Sequence, residues 1–216
     1  NKKSIFKIGN LSLENISKLK LFKLDDLNRI LSLDLEKDNY LIITFHPETN
    51  VKDYGIKMIK KFLKTLESFK KLKIVFTLSN IDNGSSKLNK IIKNLSDKNE
   101  NSNYFTFLGT QKYLSLVNFS CGVIGNSSSL VNEVSVLNKY SLIIGSRQEG
   151  RILTKFNHVL KKNEIIKKKI NLIISKNQKN PKNFKIKKRK FPSKVFLEIL
   201  EKMKPKIDKT FNDIKF

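Results

Sequence analysis

The feature that most constrains this chain is an alternation, from Asn39 onward, of short β-branched or aliphatic runs with helix-length amphipathic stretches. Parallel strands need a crossover between them, so this alternation marks βαβ units and a parallel sheet. Leu41-Ile42-Ile43-Thr44-Phe45 is a continuous apolar strand that runs straight into His46-Pro47, where proline cannot donate to a central ladder. Ile56, Ile59, Phe62, Leu63, Leu66 and Phe69 then recur at helical spacing with lysines between them. The pattern repeats as strand 72–78, helix to about 95, strand 104–107, helix 111–118, strand 121–124, helix 129–137 and strand 140–144. The expected fold is α/β, a Rossmann-like parallel sheet flanked by helices, and 216 residues suit one large domain with appendages. Four loops fall at the C-terminal ends of these strands, the edge where open α/β sheets bind ligands.

The flanks are less regular. Residues 1–38 read as a linker plus a helix with Leu24, Leu27 and Leu31 on one face, and residues 39–180 as the Rossmann-like domain. Residues 181–216 read as a basic segment and a last helix, Ser193 to Met203, stopping before Pro205. The first residue is Asn1 rather than Met, so the chain is expected to be a portion of a longer product.

A net charge of +25 raises the possibility of nucleic-acid binding, through counterion release from a phosphate backbone. Arg29, Arg147, Arg151 and Arg189 are the only arginines, however, and planar bidentate recognition of phosphate and base edges favours Arg over Lys. The lysines run from end to end, which reads as a solvated surface, and no nucleic-acid partner is expected. No apolar run approaches the ~20 residues that span a bilayer, and no leader of charged then apolar residues opens the chain. A cytoplasmic protein without membrane contact is expected. The single cysteine, Cys121, sits in a strand pattern and reads as core, and no Cys/His cluster supports a metal.

Several strand-end residues carry chemical potential. Gly125-Asn126-Ser127-Ser128-Ser129 opens a helix after a buried strand, where free amides and small hydroxyls suit a diphosphate; the same run also reads as a plain serine N-cap. Glu133, four residues past Ser129, falls on the same predicted helix face, within reach of a ribose diol or exposed as a surface acid. His46, at the exit of its strand, suits phosphate contact or proton transfer near neutral pH, although a loop histidine often does neither. Arg147 and Arg151 flank another strand end and suit an anion, and His158 reads as structural.

Taken in order, Thr44-Phe45-His46-Pro47-Glu48-Thr49, Asn80-Ile81-Asp82-Asn83-Gly84, Leu108-Gly109 with Tyr113-Leu114-Ser115-Leu116, Gly125 to Ser129 with Glu133, and Gly145-Ser146-Arg147-Gln148-Glu149-Gly150-Arg151 resemble the motifs of the hydrolysing UDP-N-acetylglucosamine 2-epimerases of sialic and legionaminic acid synthesis. The resemblance is collinear from about Gly9 to Leu160. It implies the C-terminal half of a glycosyltransferase-B-like two-domain fold, with a UDP-sugar in the cleft between the domains and no cofactor. By the same resemblance His46 contacts the nucleotide sugar near the chemistry, Asn126 belongs to the binding loop, and Ser127, Ser128 and Ser129 hold the diphosphate. Glu133 holds the ribose, the segment from Gly109 to Leu116 lines the uracil pocket, and Arg147 and Arg151 have a general binding or structural role.

The family's N-terminal domain, with its phosphate loop and catalytic acids, has no counterpart in this sequence. The expected partners are therefore the UDP-sugar, an N-terminal domain in cis or trans, and further copies of the chain in a homo-oligomer once complete. Leu130-Val131-Asn132 departs from the family's Gly after the serines, and Phe184-Lys185-Ile186-Lys187 from its Tyr-Gly. A non-hydrolysing epimerase and a non-catalytic UDP-sugar-binding module remain as alternatives.

Overall fold

A computed structural model describes residues 5–179 and 191–203. Arg189 and the Phe184 to Lys187 departure lie outside the described residues. The chain divides into two compact units, residues 19–186 and residues 1–18 with 187–216. In the smaller unit, helices α1 (Leu11–Lys18) and α8 (Pro192–Lys202) pack together. The buried Glu14 carboxylate accepts from the Ser193 amide at 3.1 Å and its hydroxyl at 2.8 Å.

The larger unit is a six-stranded sheet in the order β3-β2-β1-β4-β5-β6, parallel throughout. The strands are β1 (Tyr40–Thr44), β2 (Lys73–Thr77), β3 (Ser102–Phe105), β4 (Gly122–Gly125), β5 (Ser141–Ile143) and β6 (Asn157–Val159). The helices are α2 (Leu24–Leu31), α3 (Ile56–Leu66), α4 (Ser85–Ser96), α5 (Gly109–Phe119), α6 (Glu133–Val136) and α7 (Ile166–Lys179). Every β1 residue is buried, which is why this strand reads as an unbroken apolar run. Leu41, Ile43 and Phe45 point into a core shared with Phe62 and Leu63 of α3, Ile92 of α4 and Ile170 of α7. On the opposite face the Tyr40 hydroxyl donates to the Leu116 carbonyl of α5. Cys121 is buried in the core that holds Leu41 and Ile43, its thiol bonded to the Tyr40 carbonyl and pushed up to about 12 by burial, which keeps it unreactive.

The chain winds from β1 out to β3 and then crosses back to β4 on the other side of β1. The strand order therefore reverses between β1 and β4, and a crevice opens beyond their C-terminal ends. Gly125 closes β4 at φ +148, where a Cβ would sit 1.8 Å from the Thr44 carbonyl oxygen. Only glycine lets the two strand ends approach this closely.

The helix expected over 129–137 is not continuous. A single 3-10 turn, Ser128–Leu130, is followed by a break at Asn132 (φ −88, ψ −77) before the four residues of α6. The Leu130 carbonyl, which an α-helix would pair with an amide four residues on, accepts instead from Ser135 Oγ at 3.1 Å and Asn157 Nδ2 at 2.8 Å.

Candidate functional site

Beyond the strands, the β1 and β4 loops are joined by one side chain. The Asn126 carboxamide accepts from the His46 amide at 2.7 Å and donates to the His46 carbonyl at 2.8 Å, acting as one more ladder rung after the strands have parted. The Asn126 backbone carbonyl accepts from Gln148 Nε2 at 2.7 Å and from Arg147 Nη1 at 3.3 Å, so the loop after β5 is tied to the same point. Glu48 completes the tie: its buried carboxylate accepts from the Ser146 amide at 3.1 Å and the Ser146 hydroxyl at 2.9 Å. It passes under Gly145, where a Cβ would come within 1.8 Å of Oε1. Glu48 and Gln148 were visible in the sequence only as motif letters, and nothing local marks Glu48 as the partner of Ser146, 98 positions away, or Gln148 as the partner of Asn126, 22 away.

On the other side of this brace lies a cleft of about 350 Å³, lined among others by Thr44, His46, Gly109, Tyr113, Ser127 and Ser129, with Glu133 at its wall. Ser127 caps the 3-10 turn, its hydroxyl accepting from the Ser129 amide at 3.3 Å. With one turn of 3-10 helix there is little aligned dipole, so the donors available to an anion are mainly the hydroxyls. The Ser129 hydroxyl bridges Ser127 Oγ at 3.2 Å and the Tyr113 hydroxyl at 2.9 Å. Phe107 also lines the cleft yet is 86% exposed.

Two polar atoms of the cleft residues, His46 Nδ1 and Glu133 Oε2, are buried without a hydrogen-bond partner. Such atoms are costly to leave unmet, and those in native proteins call for an explanation. Burial holds His46 below the usual imidazole range, with the Arg147 charge pushing the same way. Burial raises the Glu133 carboxyl above the usual carboxylate range. At neutral pH His46 is a neutral imidazole, able to accept or donate through Nδ1.

The remaining residues singled out in the sequence fall elsewhere. The cleft lining from α5 reaches Leu114, whereas Leu116 is fully buried. Ser128 is half-buried in the 3-10 turn and is not among the lining residues. Asn126, 1% exposed, braces the loops rather than facing the cleft, and Arg147 reaches it from the surface. Arg151 is exposed and also stands apart from the cleft lining. His158 belongs to β6, with Lys176 Nζ 3.3 Å from its Nε2. Among the described residues no three His, Cys, Asp or Glu side chains form a metal-binding group, and no helix is long and apolar enough to cross a membrane.

Comparison with known proteins gives this arrangement a lineage. A GDP/UDP-N,N'-diacetylbacillosamine 2-epimerase (hydrolyzing) of Campylobacter jejuni is 39% identical over 154 residues, covering 70% of this chain and 40% of that protein. Polysialic acid biosynthesis protein P7 of Escherichia coli is 33% identical over 150 residues, covering 69% of this chain and 38% of that one. The chain thus spans well under half the length of these relatives. Among solved structures, the UDP-GlcNAc 2-epimerase of Methanocaldococcus jannaschii in complex with UDP-GlcNAc and UDP superposes with a TM-score of 0.60 at 18% identity, covering 93% of this chain and 56% of that one. At that identity the likeness is one of fold, and it agrees with a Rossmann-like α/β architecture. The family described as UDP-N-acetylglucosamine 2-epimerase matches residues 1–192, nearly the whole chain and every strand-end loop that builds the crevice, and the chain belongs to that family.

Proposed function

We propose that this chain is the UDP-binding half of a hydrolysing UDP-N-acetylglucosamine 2-epimerase, active only with an N-terminal domain supplied in cis or trans. The observation that carries this reading is the pair of buried, unpartnered atoms, His46 Nδ1 and Glu133 Oε2, held at the cleft beside the Ser127 and Ser129 hydroxyls. A nucleoside diphosphate offers what each side lacks. Its phosphate oxygens accept from hydroxyls and imidazole, and its ribose diol donates to a carboxylate. Ser127 and Ser129 then hold the diphosphate, Glu133 the ribose, and Gly109 with Tyr113 the wall of the base pocket.

The substrate is UDP-N-acetylglucosamine or a related UDP-acetamido sugar, and the relative from Campylobacter, whose name carries the word hydrolyzing, favours that branch of the family. In this reaction UDP leaves by elimination across C1 and C2 to give a glycal. Water then adds with inversion at C2, releasing an N-acetylmannosamine-type sugar and UDP. Abstracting the C2 proton and returning one on the other face calls for positioned acids and bases. Among the described residues Glu133 is the only carboxylate lining the cleft, and it is occupied by the ribose in this reading, so the acids come from the other domain. The complete enzyme is expected to be a homo-oligomer.

Calorimetric titration of the chain with UDP, beside inorganic diphosphate at the same ionic strength, tests the nucleotide site. Saturable binding of UDP alone is expected. Equal heats from both would reduce the interaction to charge on a lysine-rich surface.

A further inference from the structure

Tyr113 touches the cleft but has so far served only as wall. It stands on α5 one turn beyond Gly109, and its phenol oxygen lies 2.9 Å from Ser129 Oγ. Ser129 Oγ is 3.2 Å from Ser127 Oγ, and Ser127 Oγ also takes the Ser129 amide at 3.3 Å. All three side chains line the cleft, so three hydroxyls form a continuous row along it.

Each hydroxyl has one proton to donate and two lone pairs. A phosphate oxygen in the cleft is an acceptor only, so a Ser127 hydroxyl that binds it must give its proton to the ligand. Ser127 Oγ then accepts from the Ser129 hydroxyl and the Ser129 amide, which fills both lone pairs. Ser129, having given its proton to Ser127, is left as the acceptor of the Tyr113 proton. The row acquires one direction, from phenol to serine to serine to ligand. Burial pushes the phenol up to about 12, so it remains a donor across the neutral range. Hydrogen bonds aligned in this way polarise one another, strengthening each by roughly 10–30%.

We propose that Tyr113 is a positioning residue for diphosphate recognition, its phenol orienting the Ser129 and Ser127 hydroxyls as a donor chain aimed at an acceptor-only oxygen. This rests on the nucleotide reading of the cleft and adds a residue to it. Tyr113 acts through Ser129, so its contribution should vanish when the Ser129 hydroxyl is removed.

The test is a double-mutant cycle on the full chain, read as UDP affinity by calorimetry. Tyr113→Phe keeps the ring and the cleft wall and is expected to weaken UDP about fivefold, the order of one hydrogen bond. Ser129→Ala is expected to weaken it by as much or more, and Tyr113→Phe placed on Ser129→Ala should cost no further affinity. Multiplying losses in the double variant would make Tyr113 an independent element of the wall and overturn the proposal. UDP bound by Tyr113→Phe as tightly as by the unaltered chain would overturn it while leaving the nucleotide site standing. No UDP binding by the unaltered chain would remove the nucleotide reading and this inference together.

Discussion

Two polar clusters sit a few residues apart at the same sheet edge and behave oppositely. In one, Glu48, Asn126, Ser146 and Gln148 bond one another and the His46 main chain, with Gln148 Oε1 left unmet. In the other, Ser127, Ser129, Tyr113, His46 and Glu133 line a cleft, and His46 and Glu133 each keep a buried atom unmet. His46 belongs to both: its backbone is clamped by Asn126 while its ring nitrogen is unpartnered. The difference separates frame from binding surface. A closed network fixes loops, and an open one marks where a ligand would complete it.

The comparison breaks most visibly through the frame. Glu48→Ala strips the half-buried Ser146 amide and hydroxyl of their acceptor. It is expected to cost about 2–3 kcal/mol of stability and to weaken UDP as the loops after β1, β4 and β5 lose their tie. Urea unfolding monitored by circular dichroism measures the first effect. An unchanged midpoint would mean that the clasp is ornamental and that the loops hold without it.

The ease with which such residues could be found in the sequence follows the same division. Strands β1, β2, β4 and β5 were legible because parallel strands buried on both faces leave continuous apolar runs. Strand β3 was expected at 104–107 and lies at Ser102–Phe105, because an edge strand with exposed Asn103 has no such run. Helix α1 was missed, being short and paired with a helix nearly the whole chain away. The break before Glu133 depends on Asn157, 27 residues beyond the Leu130 carbonyl it captures, and periodicity holds no trace of such a bond. His46, Ser127, Ser129 and Glu133 stood out because strand-end position and residue type are both local. Glu48, Gln148 and Tyr113 did not, since their importance lies in what they meet across loops.

A smaller effect separates the two clusters by sign. Glu133→Ala removes a carboxylate oxygen that is buried and unpaired in the free chain, so it should not lower stability, in contrast to Glu48→Ala. It should nevertheless weaken UDP about tenfold through the lost ribose contact. Burial raises the Glu133 pKa, so its ionisation opposes folding: the native state binds more protons than the unfolded one above the ordinary carboxylate range, and stability falls as pH rises through that window. That slope should flatten in the variant. Melting curves from about pH 4 to 7 would show it, and an undiminished UDP affinity would take Glu133 out of the site.

The smallest effect concerns His46, whose lowered pKa gives a slope of the opposite sign. Between the folded value and 6.5 the unfolded state binds more protons, so stability rises with pH across that window and is lost as pH falls through it. His46→Asn should remove this slope. A phosphate group beside Nδ1 would favour the charged imidazole and raise its pKa, so UDP binding near pH 6 should draw a proton from solution. Calorimetry in two buffers of different ionisation enthalpy reads that uptake directly. The terminal phosphate of UDP titrates nearby, with a pKa of about 6, and His46→Asn supplies its contribution alone. A difference between chain and variant would place the imidazole against the diphosphate. Identical uptake in both would confine His46 to the frame that Asn126 already holds.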